Sequence, residues 1–473
     1  MNTLKSYQLT ADQQILNIPE ELQQSAKRIL LYAGISQEKA DSFQSNLEIF
    51  INMKDKFSND ASTRQILEKL TMVFYETYAL VLKRVQAENS HRRLYRMFLR
   101  FGYMDERLLS PQQCNTLYHL VDDEPSDTNY SIYYLQTWLE NIYRGVKDPS
   151  VNEFGQDYHD LFFEKKKRRE LTDKDKAAYD ADRDGRFQHE ADHLFKLGQR
   201  LCYGQIGSYC PILHKEMIGQ SIEANLVTPA RLEASLNKII AIDYSAFHRE
   251  IVYSHTSRNM APELIMKPVL PDLILMPGFG HREVMWQILS GKSKSSPGRF
   301  IFPIFTDENL DDLMIDAIAK FRWDLSRNMS GLVINKANEI SLYVDYSDYI
   351  QFYAKNRDLS GEAKEKLKTV IKRHRNNTRE IFTLDYHTWI NYESNRLLRL
   401  NKVAREILFK HCPFSKSIRT NLAESPIYNP LISQLDKLRG KQCRILESRY
   451  AKLASPGNSI KPDLIENLGY YNA

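Results

Sequence analysis

The sequence predicts a predominantly α-helical, multi-domain protein with a small α/β segment near residues 265–350. Three observations carry this. The chain is 473 residues long, which at roughly 150 residues per domain suggests about three domains. Tyrosine is plentiful (27) while glycine (18) and proline (17) are scarce, a balance that favours long helices over a turn-rich sandwich or barrel. Apolar residues recur at helical spacing behind recognisable helix starts. The 42% apolar and 26% charged fractions are those of a folded chain rather than a disordered one.

Taken in order, residues 1–147 read as a helical N-terminal domain. Ser62-Thr-Arg-Gln65 has the spacing of a capping box, in which hydroxyl and amide satisfy unpaired N–H groups of the first turn. It opens onto Leu67, Leu70, Phe74, Tyr78, Val81 and Val85, a stripe expected to pack in the core. Ser110-Pro111 and Thr228-Pro229 each place proline at the first helical position. Residues 148–186 read as a charged linker, nearly free of large apolar residues after Phe163. Residues 187–350 read as helical with a small α/β portion. Leu270–Met276 and Phe300–Phe305 are apolar runs bounded by Gly, Pro and Ser, as short strands are. A hairpin or a helix is expected over residues 331–346, and a flexible loop over 290–299. After Thr306, Asp307, Glu308, Asp311 and Asp312 suit the positive end of a helix dipole. Residues 351–473 read as a basic, helical C-terminal region.

Met1 to Gln14 lacks the cationic and apolar sequence of a secretory signal. No window approaches 18 consecutive apolar residues, so no membrane span is expected. Cys114, Cys202, Cys210, Cys412 and Cys443 are scattered, with no C-x₂-C pair, and read as free thiols of a reducing compartment. A cytoplasmic protein is the expectation. Lys165-Lys-Lys-Arg-Arg169 has the form of a nuclear import signal if the source is eukaryotic.

Net charge is +5 but unevenly placed. Residues 351–473 hold 23 Lys/Arg against 12 Asp/Glu, or +11, leaving −6 for the rest. Such a basic end suits an acidic partner. Within it, Ser360 reads as the N-cap of a helix running to about Phe382. At about 100° per residue, Lys364, Lys368, Lys372, Arg375 and Arg379 fall within an arc of roughly 80°. Leu367, Val370, Ile371, His374 and Ile381 take the other side. Five cations on one face match the footprint of a phosphate backbone, and equally of an acidic protein. Tyr343, Tyr346, Tyr349, Phe352 and Tyr353 lie just upstream, where exposed rings would stack on unpaired bases.

His189-Glu190-Ala-Asp-His193 matches H-E-x-x-H, the spacing that lets two imidazoles share a zinc ion with the glutamate as general base. Its setting argues the other way. His189 and His193 share a face with Lys196 and Arg200, whose charges oppose a dication, while Glu190 points along Leu194, Leu197 and Leu201. Asp180-Ala-Asp-Arg-Asp184-Gly185 resembles the start of a calcium loop, but Ala191 stands where the closing glutamate belongs. An acidic turn with Asp184 capping the next helix is the simpler account. Gly278-Phe-Gly280 follows a strand, yet Glu283 replaces the third glycine of a nucleotide fingerprint, and a tight turn before a helix near His281 is expected. No G-x-S-x-G elbow is present.

The resulting expectation is an intracellular helical binding or scaffold protein. Its basic C-terminal helices, through Lys364, Lys368, Lys372, Arg375 and Arg379, engage an acidic partner, with nucleic acid a candidate. No cofactor is expected. The alternative is a zinc-dependent hydrolase with His189 and His193 as ligands and Glu190 as base.

Overall fold

A computed structural model describes residues 18–122, 128–151, 156–203, 209–219, 221–255, 262–285, 297–329, 341–453 and 460–473. The protein is predominantly helical, with twenty α-helices and seven short strands among these residues. No helix among them is long and apolar enough to cross a membrane. Cys114, Cys210, Cys412 and Cys443 are buried, and none of the four is in a disulfide.

The chain forms two compact units. One comprises Met1–Arg231, Leu273–Val284 and Ile301–Asn309; the other Leu232–Asp272, Met285–Phe300 and Leu310–Ala473. Both are assembled from segments distant in sequence.

The first unit is organised on the helix Ala61–Glu88, against which Ser25–Ala33, Gln37–Ile51 and Arg183–Tyr203 pack. All six residues of the expected stripe, Leu67 to Val85, are buried. Removing each such side chain from water contributes about 1.5–3 kcal/mol. The cap differs from the expected one. Asp60, not Ser62, begins the helix: its Oδ1 accepts from the Thr63 amide at 2.8 Å, and the Ser62 hydroxyl donates to the same carboxylate. Three hydroxyls, of Ser58, Ser62 and Thr63, and the Thr63 amide hold the Asp60 carboxyl well below the usual carboxylate range. Pro111 stands at the first helical position as expected, and Ser110 and Gln113 form a capping box there.

Seven strands form two sheets. We number them β1 (Ile132–Tyr134), β2 (Tyr209–Cys210), β3 (His248–Tyr253), β4 (Glu263–Pro268), β5 (Asp272–Gly280), β6 (Val284–Met285) and β7 (Arg299–Phe305). The larger sheet runs β1-β5-β7-β6, with β2 also paired to β5. β1 is parallel to β5, from Ile132 opposite Leu273 to Tyr134 opposite Leu275. Every residue of β5 and β7 is buried, which is why both read as continuous apolar runs rather than alternating ones. Gly278 and Gly280 belong to β5 rather than to a turn, and β6 follows where a helix was expected. Gly278 has φ +117°, and a Cβ there would stand 2.7 Å from Pro211 Cα. The glycine answers to the close approach of the β2 segment, not to a phosphate.

Residues 158–180, within the stretch read as a linker, are largely helical: Tyr158–Lys167 and Lys176–Asp180 flank a 3₁₀ turn. Tyr158, Phe162 and Tyr179 form a small core there, with Leu171 against it. The cations of Lys165–Arg169 gather at the carbonyl end of the first helix, where they suit its dipole. Lys166 pairs with Asp173, and Lys165 lies over the Tyr179 ring.

In the second unit Leu310–Met329 packs on Thr378–Asn391, Leu342–Gln351 on Lys402–His411, and Asn429–Leu453 on Pro462–Asn472. The antiparallel β3–β4 pair lies against the last of these. Of the segment read as hairpin or helix, 331–340 lies outside the described residues and Leu342–Gln351 is a helix. Of the expected 290–299 loop, 290–296 also lies outside them. Two buried polar knots brace this unit. Asp243 accepts from Arg322 Nη2 at 2.7 Å, Ser245 Oγ at 2.8 Å and the Tyr386 hydroxyl at 2.6 Å. Glu393 accepts from Arg405, from the Arg399 and Leu400 amides, and from the Tyr428 hydroxyl.

Candidate anion-binding surface of the C-terminal region

Ser360 caps a helix as expected, accepting from the Ala363 amide. That helix, Gly361–Arg373, ends nine residues short of Phe382. Arg375 and Asn376 take left-handed backbone angles, with φ +51° and +60°, and Asn377 caps a second helix, Thr378–Asn391. The expected five-cation stripe is therefore broken. Asparagine explains the break: it tolerates the left-handed region and competes for backbone N–H groups better than it sustains a helix interior.

The five cations part accordingly. Lys364 is half-buried. Lys368 is exposed and lies 3.3 Å from Glu365 Oε2. Lys372 and Arg375 are exposed, and so is Arg373 between them. Arg379, on the second helix, donates through Nη2 to Asp324 at 2.7 Å and braces the fold. Burial pushes the Asp324 carboxyl up, although Arg379 pulls it back. What stays open to a partner is a shorter cluster, Lys368, Lys372, Arg373 and Arg375, at the end of one helix and the turn after it. The aromatic run is divided: Phe352 is exposed and Tyr343 and Tyr353 are half-buried, while the other two rings are shut away. Tyr346 and Tyr349 are buried, and Tyr346 packs on Trp323 and Phe382.

The H-E-x-x-H residues lie on the helix Arg183–Tyr203 in the first unit. Phe187, Glu190, Ala191 and Leu194 form its buried face. Glu190 is fully buried and accepts from Trp138 Nε1 at 2.7 Å, the Ser150 amide at 2.6 Å and Ser150 Oγ at 3.0 Å. Its carboxylate is a packing element rather than a base open to substrate. His189 Nε2 lies 3.0 Å from the Ser150 carbonyl, which makes that nitrogen a donor with no lone pair for a metal. The two imidazoles are parallel, with centroids 6.4 Å apart. The glutamate that the zinc reading needs as an open general base is thus enclosed. The calcium-like string closes differently too: Asp182, rather than Asp184, accepts from the Gly185 amide at the helix start.

Among the described residues, metal-ligating atoms gather at His281, Asp307 and Glu308. His281 Nδ1 stands 2.8 Å from Asp307 Oδ1 and 3.7 Å from Glu308 Oε1. Both carboxylates are half-exposed, and a histidine–aspartate hydrogen bond accounts for the contact.

The basic residues that sequence reasoning missed are the buried ones, Arg405, Arg419 and Arg439. Arg439 shares the buried face of Asn429–Leu453 with Ile432, Cys443, Leu446 and Tyr450. Reading that period of three and four along the helix would have placed it inside.

Residues 331–470 match a family described as a domain of unknown function (DUF8509), so the similarity covers the basic region and the helices around it. No curated protein and no solved structure is similar enough to match.

Proposed function

We propose that this chain is a binding or scaffold protein whose C-terminal region engages an acidic partner, with single-stranded nucleic acid the first candidate to test. The observation that carries this is the exposed cluster Lys368, Lys372, Arg373 and Arg375. It crowns a region of net charge +11. Among the described residues, only Lys368 of the four is in an ion pair, and that pair is a weak, exposed one. Clustered, solvated cations attract polyanions by releasing condensed counterions, which makes binding steeply salt-dependent. On this reading the protein works in the cytoplasm, where its unpaired thiols stay reduced.

The test is fluorescence anisotropy of labelled single-stranded nucleic acid against salt, with the full chain. Affinity is expected to fall steeply with salt and to drop about tenfold in the double variant Lys368→Glu/Lys372→Glu. Affinity unchanged in that variant, or insensitive to salt, overturns the reading.

A further inference from the structure

A second cationic feature of the same unit is concave. The helices Lys416–Leu422, Asn429–Leu453 and Pro462–Asn472 enclose an open cavity of about 420 Å³, walled by Lys416, Arg419, Asp436 and Arg439. Thr420 and Asn472 add polar groups, and Ile432 contributes an apolar patch. This volume is within the range of small-ligand sites, about 300–1,000 Å³.

Its two arginines are unusual in being buried, with 5% and 8% of their surface exposed. Arg419 donates through Nη1 to the Phe414 carbonyl at 2.7 Å and through Nη2 to the Ala473 backbone oxygen at 3.0 Å. Its Nε is buried and makes no hydrogen bond; Asp436 Oδ1 stands 3.3 Å away, out of line. Burial pulls the guanidinium below its ordinary value, and Asp436 only partly restores it. Arg439 donates to the Tyr470 carbonyl at 3.2 Å. Its guanidinium lies over both the Tyr244 and Tyr470 rings, 5.0 and 5.1 Å from their centroids. Among the described residues it has no carboxylate partner.

A buried guanidinium without a counter-charge is costly to keep, and proteins keep one where a ligand supplies the charge. Among the side chains that wall the cavity, three cations face one carboxylate, a surplus of positive charge. A phosphate group suits that surplus, and its oxygens match the planar donor fork of arginine. We infer that the cavity walled by Lys416, Arg419 and Arg439 binds a small ligand bearing a phosphate group. The size of the cavity selects a small molecule over a polymer backbone. This site is separate from the exposed Lys368–Arg375 cluster, and the two fail independently.

The experiment is a calorimetric titration of inorganic phosphate into the full chain in low-salt chloride buffer. Two variants accompany it, both at exposed positions where folding is retained: Lys416→Glu and Asp436→Asn. Wild type is expected to give saturable binding with one phosphate per chain. Lys416→Glu is expected to weaken it about tenfold or more, by placing a like charge beside the anion. Asp436→Asn is expected to tighten it several-fold, because the carboxylate that competes for Arg419 is gone. Absence of saturable binding, or equal affinity in all three proteins, overturns the inference whether or not nucleic acid binds elsewhere.

Discussion

Glu190 in the first unit and Glu393 in the second are both fully shut off from solvent, yet different chemistry satisfies them. Glu190 is held by neutral donors, an indole N–H together with the amide and hydroxyl of Ser150. Glu393 is held by a guanidinium, with Arg405 Nε at 2.7 Å and Nη2 at 3.1 Å, and by two amides and a phenol as well. In the first case neutral donors offset part of the cost of burial; in the second, a guanidinium adds Coulomb attraction to the hydrogen bonds. Only Glu190 sits in a string that resembles catalysis, and its setting closes it off from solvent. A motif is chemistry only when its groups face something that can react.

The sharpest way to break this comparison is to remove one partner of the charged knot. Arg405→Met leaves Glu393 buried and unpaired and is expected to destabilise the protein by about 3–5 kcal/mol in urea unfolding. The double variant Arg405→Met/Glu393→Gln should lose less than the single one, since no orphan charge remains. Equal losses would mean that packing rather than charge holds the knot. The pH dependence has a definite sign. Burial alone would raise the Glu393 carboxyl, but Arg405, Tyr428 and the Leu400 amide outweigh it, so its folded value lies below the ordinary one. Its stabilisation is then full above about pH 4.3, the unfolded value, and lost as pH falls through the folded value. Arg405→Met should accordingly flatten the acid limb of a thermal-stability profile.

A smaller effect is expected of Glu190→Gln, which keeps the shape but turns one acceptor into a donor facing the donors of Trp138 and Ser150. A loss of about 1–3 kcal/mol measured by the same unfolding experiment would fit a hydrogen-bonded, uncharged socket. A loss as large as that of Arg405→Met would erase the distinction between the two sites. The smallest effect is expected of metal: EDTA or equimolar zinc should leave the melting temperature unchanged, because Glu190 is enclosed and the two imidazoles stand parallel with centroids 6.4 Å apart. A zinc-dependent rise of several degrees that disappears in His189→Ala would restore the metal reading of the motif.

Much of the helical architecture was legible because its signals are local. The Leu67–Val85 stripe, the helix start at Pro111 and the Ser360 cap depend on residues a few positions apart, and all stand as read. The strands β5 and β7 were legible because full burial leaves no alternation to decipher. The misreadings have two physical sources. Some are local competitions decided by one residue: Asp60 outbids Ser62 as a cap, and the pair Asn376-Asn377 ends one helix and begins another inside what looked like a single stripe. Others are tertiary. That Arg419 and Arg439 turn inward while Lys372 and Arg373 face water depends on helices distant in sequence. A count of charges treats all four alike. The face of Glu190, by contrast, was visible in its spacing with Leu194, and that spacing outweighed the motif.

The corner at residues 374–377 has a consequence for how far the basic cluster can act. Lys372, Arg373 and Arg375 gather where the backbone carbonyls of Gly361–Arg373 run out, at the negative pole of that helix. Part of their field is spent inward on those carbonyls, so the surface presents less than its formal charge to the surroundings. With the Debye length near 8 Å at physiological ionic strength, such a patch grips at contact more than it steers at a distance. For the proposed acidic partner, selectivity should therefore show in how long it stays rather than in how fast it arrives.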